Sequence, residues 1–278
     1  MSHLYIFTLT WNAVDKLSKL KESLLPALQE IDYTWLIKDN ASKDNTVEVA
    51  SAWGDNIKVL PYKDNRQNFS EGMNYCFNAA TPKDNDLVLL LNNDVIFNDT
   101  KSLKHMIQIM THNPEVGVVG SRLLYNNTNK LQHAGVIFDS HMRMPSHFRL
   151  NEISDASAEK NREFQVVTGA VLLTTGENYK NICTTNASSN KGMDEKYHWA
   201  FDDVDLCLSI KYNLNKKIVY CGQTNIFHEE SATLKKNPVN KLFMSHNANY
   251  LRDKWKGRYL ADKELYYSNI NQGLFQSK

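Results

Sequence analysis

Apolar and polar positions alternate in two distinct rhythms along the first hundred residues. Leu4–Thr10 is a short, β-rich apolar run, whereas Ala13–Gln29 carries Leu17, Leu20, Leu24, Leu25 and Leu28 at helical spacing. Tyr33–Lys38 reads as a second strand and runs into Asp39-Asn40-Ala41-Ser42, a turn cluster that also offers a helix cap. A helix near Thr46–Trp53, a strand at Ile57–Pro61, a helix near Glu71–Ala80 and a buried-type strand at Asp86–Leu91 continue the series. Strands and helices taking turns at this interval predict βαβ units, hence an α/β fold with a mostly parallel central sheet flanked by helices.

The second half has a different texture. Val116–Leu124 and Ala134–Phe138 read as strands, Ser140–Glu163 as a long polar loop, and Gln165–Thr174 as a buried apolar run. Cys183–Lys191 is rich in Ser, Thr and Asn and reads as a surface excursion. A helix is expected from Asp203, a strand at Lys217–Cys221, and a polar turn before Ile226–His228. From about Pro238 the chain turns helical and amphipathic. No linker divides it, so residues 1–236 are taken as one domain, with its nucleotide-binding half at about 1–100, and residues 237–278 as a helical extension packed on it.

In open α/β sheets, ligands sit outside the carboxyl ends of the strands. Three polar segments fall there: Thr10-Trp11-Asn12, Asp39-Asn40 and Asn92-Asn93-Asp94. A net charge of +1, from 32 basic and 31 acidic side chains, argues against a protein whose main ligand is nucleic acid. The four cysteines form no CxxC pair, so reduced thiols are expected. Apolar runs are too short to span a bilayer and no basic segment precedes the first of them. A cytoplasmic protein is expected, with peripheral contact at the inner face of a membrane left open.

Three clusters can do chemistry. Asp94 follows the apolar Leu87–Leu91, where a carboxylate can hold a divalent cation that also bridges two phosphates. Asp202, Asp203 and Asp205 crowd the start of a helix. Capping accounts for Asp202 and the helix dipole for Asp205, which leaves Asp203 to face a cleft and accept a proton. His228 stands beside two glutamates, and an imidazole with carboxylates suits manganese or a similar ion.

These segments, in order, resemble the family 2 glycosyltransferases of GT-A fold, especially the rhamnosyltransferase-like members that build bacterial surface polysaccharides. Thr8-Leu9-Thr10-Trp11-Asn12 resembles the family's opening strand, and Asp39-Asn40-Ala41-Ser42-Lys43-Asp44 its base- and ribose-binding turn. Asn68-Phe69-Ser70-Glu71-Gly72-Met73-Asn74 resembles its Gly-Phe-Ala/Ser-x-Gly-x-Asn loop, and Asn92-Asn93-Asp94 stands in place of the DxD metal motif. Gln132-His133-Ala134-Gly135 and Val167-Thr168-Gly169-Ala170 are similar to further family segments. Asp202-Asp203-Val204-Asp205-Leu206-Cys207 resembles the element whose second acid is the catalytic base, and His228-Glu229-Glu230-Ser231 the metal histidine motif.

The resemblance implies an inverting, non-processive transfer from a UDP- or dTDP-sugar to the hydroxyl of a glycan, glycolipid or other acceptor; a modified nucleobase stays open. Asp203 is the implied base. Asp94 and His228 would hold Mn²⁺ or Mg²⁺, and Thr10, Trp11, Asn12, Asp39, Asn40, Asn68, Gly72, Asn74, Asn92, Asn93, Thr168, Gly169 and Asp202 would border the donor. Four departures bear on this. Asn92 removes one acid from the metal motif, and Asn68 replaces a glycine, acceptable where the backbone turns left-handed. Cys183–Lys191 looks inserted, and the Gln-x-x-Arg-Trp segment of processive synthases is missing. The rival readings are a nucleotidyltransferase and a non-catalytic sugar-nucleotide or glycan binder.

Overall fold

A computed structural model describes residues 2–63, 68–140, 144–182, 192–198, 200–229 and 238–270. The first half alternates as its apolar pattern requires. Strands β1 (Leu4–Thr10), β2 (Tyr33–Asp39), β3 (Ile57–Pro61) and β4 (Leu87–Leu91) are separated by α1 (Val14–Leu24), α2 (Thr46–Ser51) and α3 (Phe69–Ala80). Pro26 ends α1 early, and Leu25–Leu28 forms a single 3₁₀ turn where a longer helix was expected. Beyond β4 come β5 (Val95–Phe97), α4 (Ser102–His112), β6 (Val116–Tyr125), β7 (Leu131–His133), β8 (Val136–Phe138), β9 (Pro145–His147), β10 (Arg162–Phe164) and β11 (Val171–Thr175). Then follow α5 (Gly176–Asn181), α6 (Asp202–Asn213), β12 (Lys217–His228), α7 (Pro238–Lys254) and α8 (Lys263–Ser268).

The main sheet has the order β10-β12-β6-β11-β4-β1-β2-β3. Strands β3, β2, β1 and β4 run parallel, and β12 runs parallel to β6. β11 lies antiparallel between β4 and β6, and β10 is antiparallel to β12 at the edge. Six of these eight strands therefore point one way, the mostly parallel α/β sheet expected from the sequence. Each face carries its own core. Leu17, Leu20 and Leu24 of α1 and Leu103, Met106 and Ile109 of α4 cover one face, and Met73, Cys76 and Phe77 of α3 with Leu206 and Cys207 of α6 cover the other. No helix among the described residues is long and apolar enough to cross a membrane. Cys76, Cys207 and Cys221 are buried and reduced; Cys183 and the rest of the Cys183–Lys191 segment lie outside the described residues.

Several sequence expectations change here. The segment Lys217–His228 is one strand, not two, because β12 continues through an irregular register between Cys221 and Ile226. Within the polar stretch, residues 149–157 are organised by a buried arginine. Arg149 clamps Asp155 (2.9 Å), Glu152 (2.7 Å) and Ser157 (2.6 Å), and holds the Asp155 carboxyl far below the usual range. The end of α7 packs onto α6, and Tyr266 of α8 packs onto Phe164 of β10. Trp255 is buried and donates its indole N–H to Asp205 (2.7 Å), while Lys254 bridges Asp205 (2.9 Å) and Asp194 (2.8 Å).

Candidate active site

The ends of β1 and β2 are stitched together by short polar side chains. Asn12, with φ 45°, donates its backbone N–H to Ser42 Oγ (2.8 Å) and accepts at Oδ1 from the Lys43 N–H (2.7 Å). Asp39 turns its carboxylate onto Ser42, accepting from the backbone N–H (2.9 Å) and the hydroxyl. Asn40 donates its N–H to the Thr10 carbonyl (2.9 Å) and accepts at Oδ1 from Lys38 Nζ (3.1 Å), a buried amine lying over the Tyr62 ring. These contacts open a cavity of about 550 Å³ bordered by Thr10, Trp11, Asn12, Asn40, Asn93 and Asp202. Trp11 is 40 % exposed, an uncovered ring at its mouth. Asp39 shapes the rim from behind and does not line the space.

The loop before α3 has another role than the sequence suggested. Asn68 is extended, at φ −109°, and not left-handed; it caps α3 by accepting from the Glu71 N–H (3.0 Å) and donates to the Glu195 carbonyl (2.8 Å). Asn74 is buried, and its amide bonds Tyr179 Oη, both backbone groups of Met193 and Glu195 Oε1 at 2.8–2.9 Å. An amide so fully engaged holds residues 192–195 against α3. Gly72 lets α3 close on β1, since a Cβ there would stand 2.8 Å from Leu9 Cδ1. Asn68, Gly72 and Asn74 line neither cavity of the site; Phe69 lines both.

Asp94 lies just beyond β4; its carboxylate is buried and lines neither cavity, but stands behind Lys16 and Asn93 of the first cavity's wall. His228, the last residue of β12, approaches Oδ1 through Nε2 at 3.1 Å, and Lys16 Nζ stands 3.8 Å from Oδ2. Strand β5 pairs with β12 in register Val95 to His228, which brings together two residues 134 positions apart. Gln132 Oε1 sits 2.7 Å from His228 Nδ1. A carbonyl oxygen can only accept, so Nδ1 donates to Gln132, and Nε2, on the Asp94 side, is the nitrogen that a metal ion would take. Asn92 Nδ2 lies 3.4 Å from the same Nε2, and Asn93 donates to Thr10 Oγ1 (3.2 Å). Among the described residues no group of three His, Cys, Asp or Glu side chains could hold an ion. One carboxylate and one imidazole would fit a hard divalent cation that takes its remaining ligands from outside the chain.

The acidic cluster opens α6, but its cap is Phe201 and not Asp202. Ala200 and Phe201 both have positive φ (59° and 68°), a costly backbone for residues with side chains, and strain of this kind gathers at functional sites. The bend turns Asp202 and Asp203 into the cleft. Asp203 accepts from the Gly169 N–H at Oδ2 (2.9 Å) and from the Val204 N–H at Oδ1 (2.8 Å). A Cβ on Gly169 would stand 3.0 Å from Asp203 Cβ, so the bare backbone permits this approach. Burial, with repulsion from Asp203, pushes the Asp202 carboxyl up to about 7. Asp205 points away and is held by Lys254, Trp255 and Tyr197.

A second cavity of about 380 Å³ adjoins the first and shares Phe69, Ala200 and Asp202 with it. Asn92, Thr168, Gly169, Asp203 and His147 line it. Strand β7 backs both parts of the site: Gln132 orients His228, and its neighbour His133 accepts from the Thr168 N–H (3.3 Å) and meets His147 Nδ1 (2.8 Å). Burial and the two flanking histidines hold the His133 pKa well below its ordinary value. Lys16, His147 and His198 border the cavities but carried no sequence signal, because each is an isolated residue brought in by tertiary packing.

The glycosyl transferase family 2 model matches residues 5–172 of the chain. No curated protein matches it. Among solved structures, S. aureus TarS 1–349 in complex with UDP-GlcNAc is similar at a TM-score of 0.61 and 14% identity, covering 99% of this chain and 71% of that one. The mannosyltransferase PcManGT from Pyrobaculum calidifontis, in complex with GDP-Man and Mn²⁺, is similar at 0.59 and 10%, covering 96% and 68%. GalNAc-T7 with UDP, GalNAc and Mn²⁺ is similar at 0.65 and 10%, and the chain spans 97% of its own length but 51% of that one.

Proposed function

The chain belongs to glycosyl transferase family 2, and from that premise we propose an inverting, non-processive transfer of a sugar from a UDP- or dTDP-sugar to an acceptor hydroxyl of a glycan or glycolipid. The observation that supports this most is the junction of the two cavities, where Asp202 lines both a nucleotide-sized space and a second space open to an acceptor, and Asp203 lines the second. Trp11 stacks on the base, and Asn12 and Asn40 meet base and ribose. Thr168 and Gly169 border the sugar. Asp203 takes the acceptor's proton as the hydroxyl oxygen bonds to the anomeric carbon, and the bond from that carbon to the β-phosphate oxygen breaks with inversion.

Asp94 and His228 would hold the divalent cation, with Asn92 beside them, and a bound cation supplies positive charge to the departing diphosphate. The bound complexes of PcManGT and GalNAc-T7, each with Mn²⁺, lend support by analogy of fold. The rhamnosyltransferase-like donor class is the finer part of this reading. Incubation of the chain with a panel of nucleotide sugars, followed by nucleoside-diphosphate release and NMR of the product's anomeric configuration, tests it. Donor binding without turnover on any acceptor would mean a binding protein; a product of retained configuration would remove Asp203 as a base for direct displacement.

A further inference from the structure

We propose that Lys16 is a phosphate-binding residue, whose side chain leaves Asp94 for the diphosphate of the bound donor and holds part of the charge that departs with it. The proposal rests on reading the first cavity as a nucleotide-sugar site. Lys16 is the third residue of α1, and the first turn of that helix forms a wall of the cavity, with Asn93 and Asp202 also on its lining. Its Nζ stands 3.8 Å from Asp94 Oδ2, on the other carboxylate oxygen from the one His228 approaches at 3.1 Å. At 3.8 Å the two groups meet as an ion pair beyond hydrogen-bond reach. The side chain is 35 % exposed against 6 % for Asp94, and its four-carbon stem can swing from the carboxylate into the cavity.

Charge favours that movement. Asn92 leaves Asp94 as the one acid of its motif. A divalent cation on that carboxylate would leave a single positive charge facing a diphosphate that bears two negative ones. The same cation would repel Lys16 from Asp94 just as the phosphates attract it. Lys16, beside the other carboxylate oxygen, supplies the missing charge from the cavity wall. Lys19, one turn further along α1, makes the contrast: its Nζ lies 3.7 Å from Glu229 Oε1 and it does not line the cavity.

Calorimetry with inorganic pyrophosphate, on the full chain and its Lys16→Gln, Lys16→Arg and Lys19→Gln variants, tests the assignment without reference to base or sugar. In chelator, Lys16→Gln is expected to weaken pyrophosphate binding about tenfold, Lys16→Arg to retain most of it, and Lys19→Gln to change it less than twofold. Mn²⁺ binding followed by electron paramagnetic resonance should be no weaker in Lys16→Gln, since Asp94 loses a competitor. Wild-type affinity for pyrophosphate in Lys16→Gln, or equal losses in Lys16→Gln and Lys19→Gln, would overturn the role of Lys16 and leave the donor site standing. If the unmodified chain bound neither pyrophosphate nor UDP, dTDP or GDP, with or without Mn²⁺, the donor site itself would fall, and the proposal with it.

Discussion

The two halves of the sheet hold their functional residues by different means. On the parallel side, Asn12 and Asn40 stand at strand ends, and the neighbouring strand end fixes them: Asn12 on Ser42 and Lys43, Asn40 on Thr10. On the side where β11 runs antiparallel, the residues of the chemistry come from distant segments and are braced across the fold. His228 leans on Gln132, Thr168 on His133, and Asp203 on Gly169. Binding residues that belong to a strand end tolerate change singly, because the sheet holds the rest. His228 and Thr168 thus depend on partners, Gln132 and His133, that line neither cavity.

The largest effect is expected where that dependence meets the reaction. Asp203→Asn should lower the transfer rate about 10²–10⁴-fold with donor affinity nearly unchanged, measured by single-turnover transfer beside calorimetry. A loss confined to donor binding would place Asp203 on the donor side of the comparison.

Next comes the brace behind the metal pair. Gln132→Ala frees the His228 ring and should weaken Mn²⁺ binding about 10–100-fold although Gln132 is no ligand; titration with the chelator competing reads it directly. An unchanged affinity would show that β12 alone positions His228.

A smaller effect concerns Asp202. Its raised pKa means the fold prefers the neutral acid, so stability is intact below the ordinary value of 3.8 and falls as pH rises toward about 7. Asp202→Asn cannot ionise and should be more stable than the parent at pH 8 by about 1–3 kcal/mol, a range discounted because the carboxyl opens onto the cavities. The two should melt alike near pH 4. A difference that did not vary with pH would contradict the burial of this carboxyl.

The smallest functional effect is expected from Asn74→Ala. It strips the bonds that hold residues 192–195 and should cost about 1–3 kcal/mol by thermal melts. Donor affinity should move less than threefold, since Asn74 does not line the cavity. A donor-specific loss at unchanged stability would return Asn74 to the binding site.

Much of the parallel half was legible in the chain itself. A strand that is apolar throughout, such as Leu87–Leu91, followed at once by Asn92-Asn93-Asp94, marks both a buried strand and a polar end, and burial alone enforces that reading. The rhythm of leucines in α1 told its buried face for the same reason. What the sequence could not carry was anything set by contacts between distant segments. Asn68 and Asn74 sit in a family-like loop, yet their amides are spent on residues 193 and 195, more than a hundred positions away. Asp202 has the composition of a cap, but the left-handed Phe201 takes that place because the chain must bend sharply to enter α6 beside Gly169. Lys16 differs from Lys19 only in what lies opposite each. Local pattern follows from which residues must leave water, a property of each segment alone; the role of a polar side chain follows from which partner reaches it, and only the packed sheet settles that.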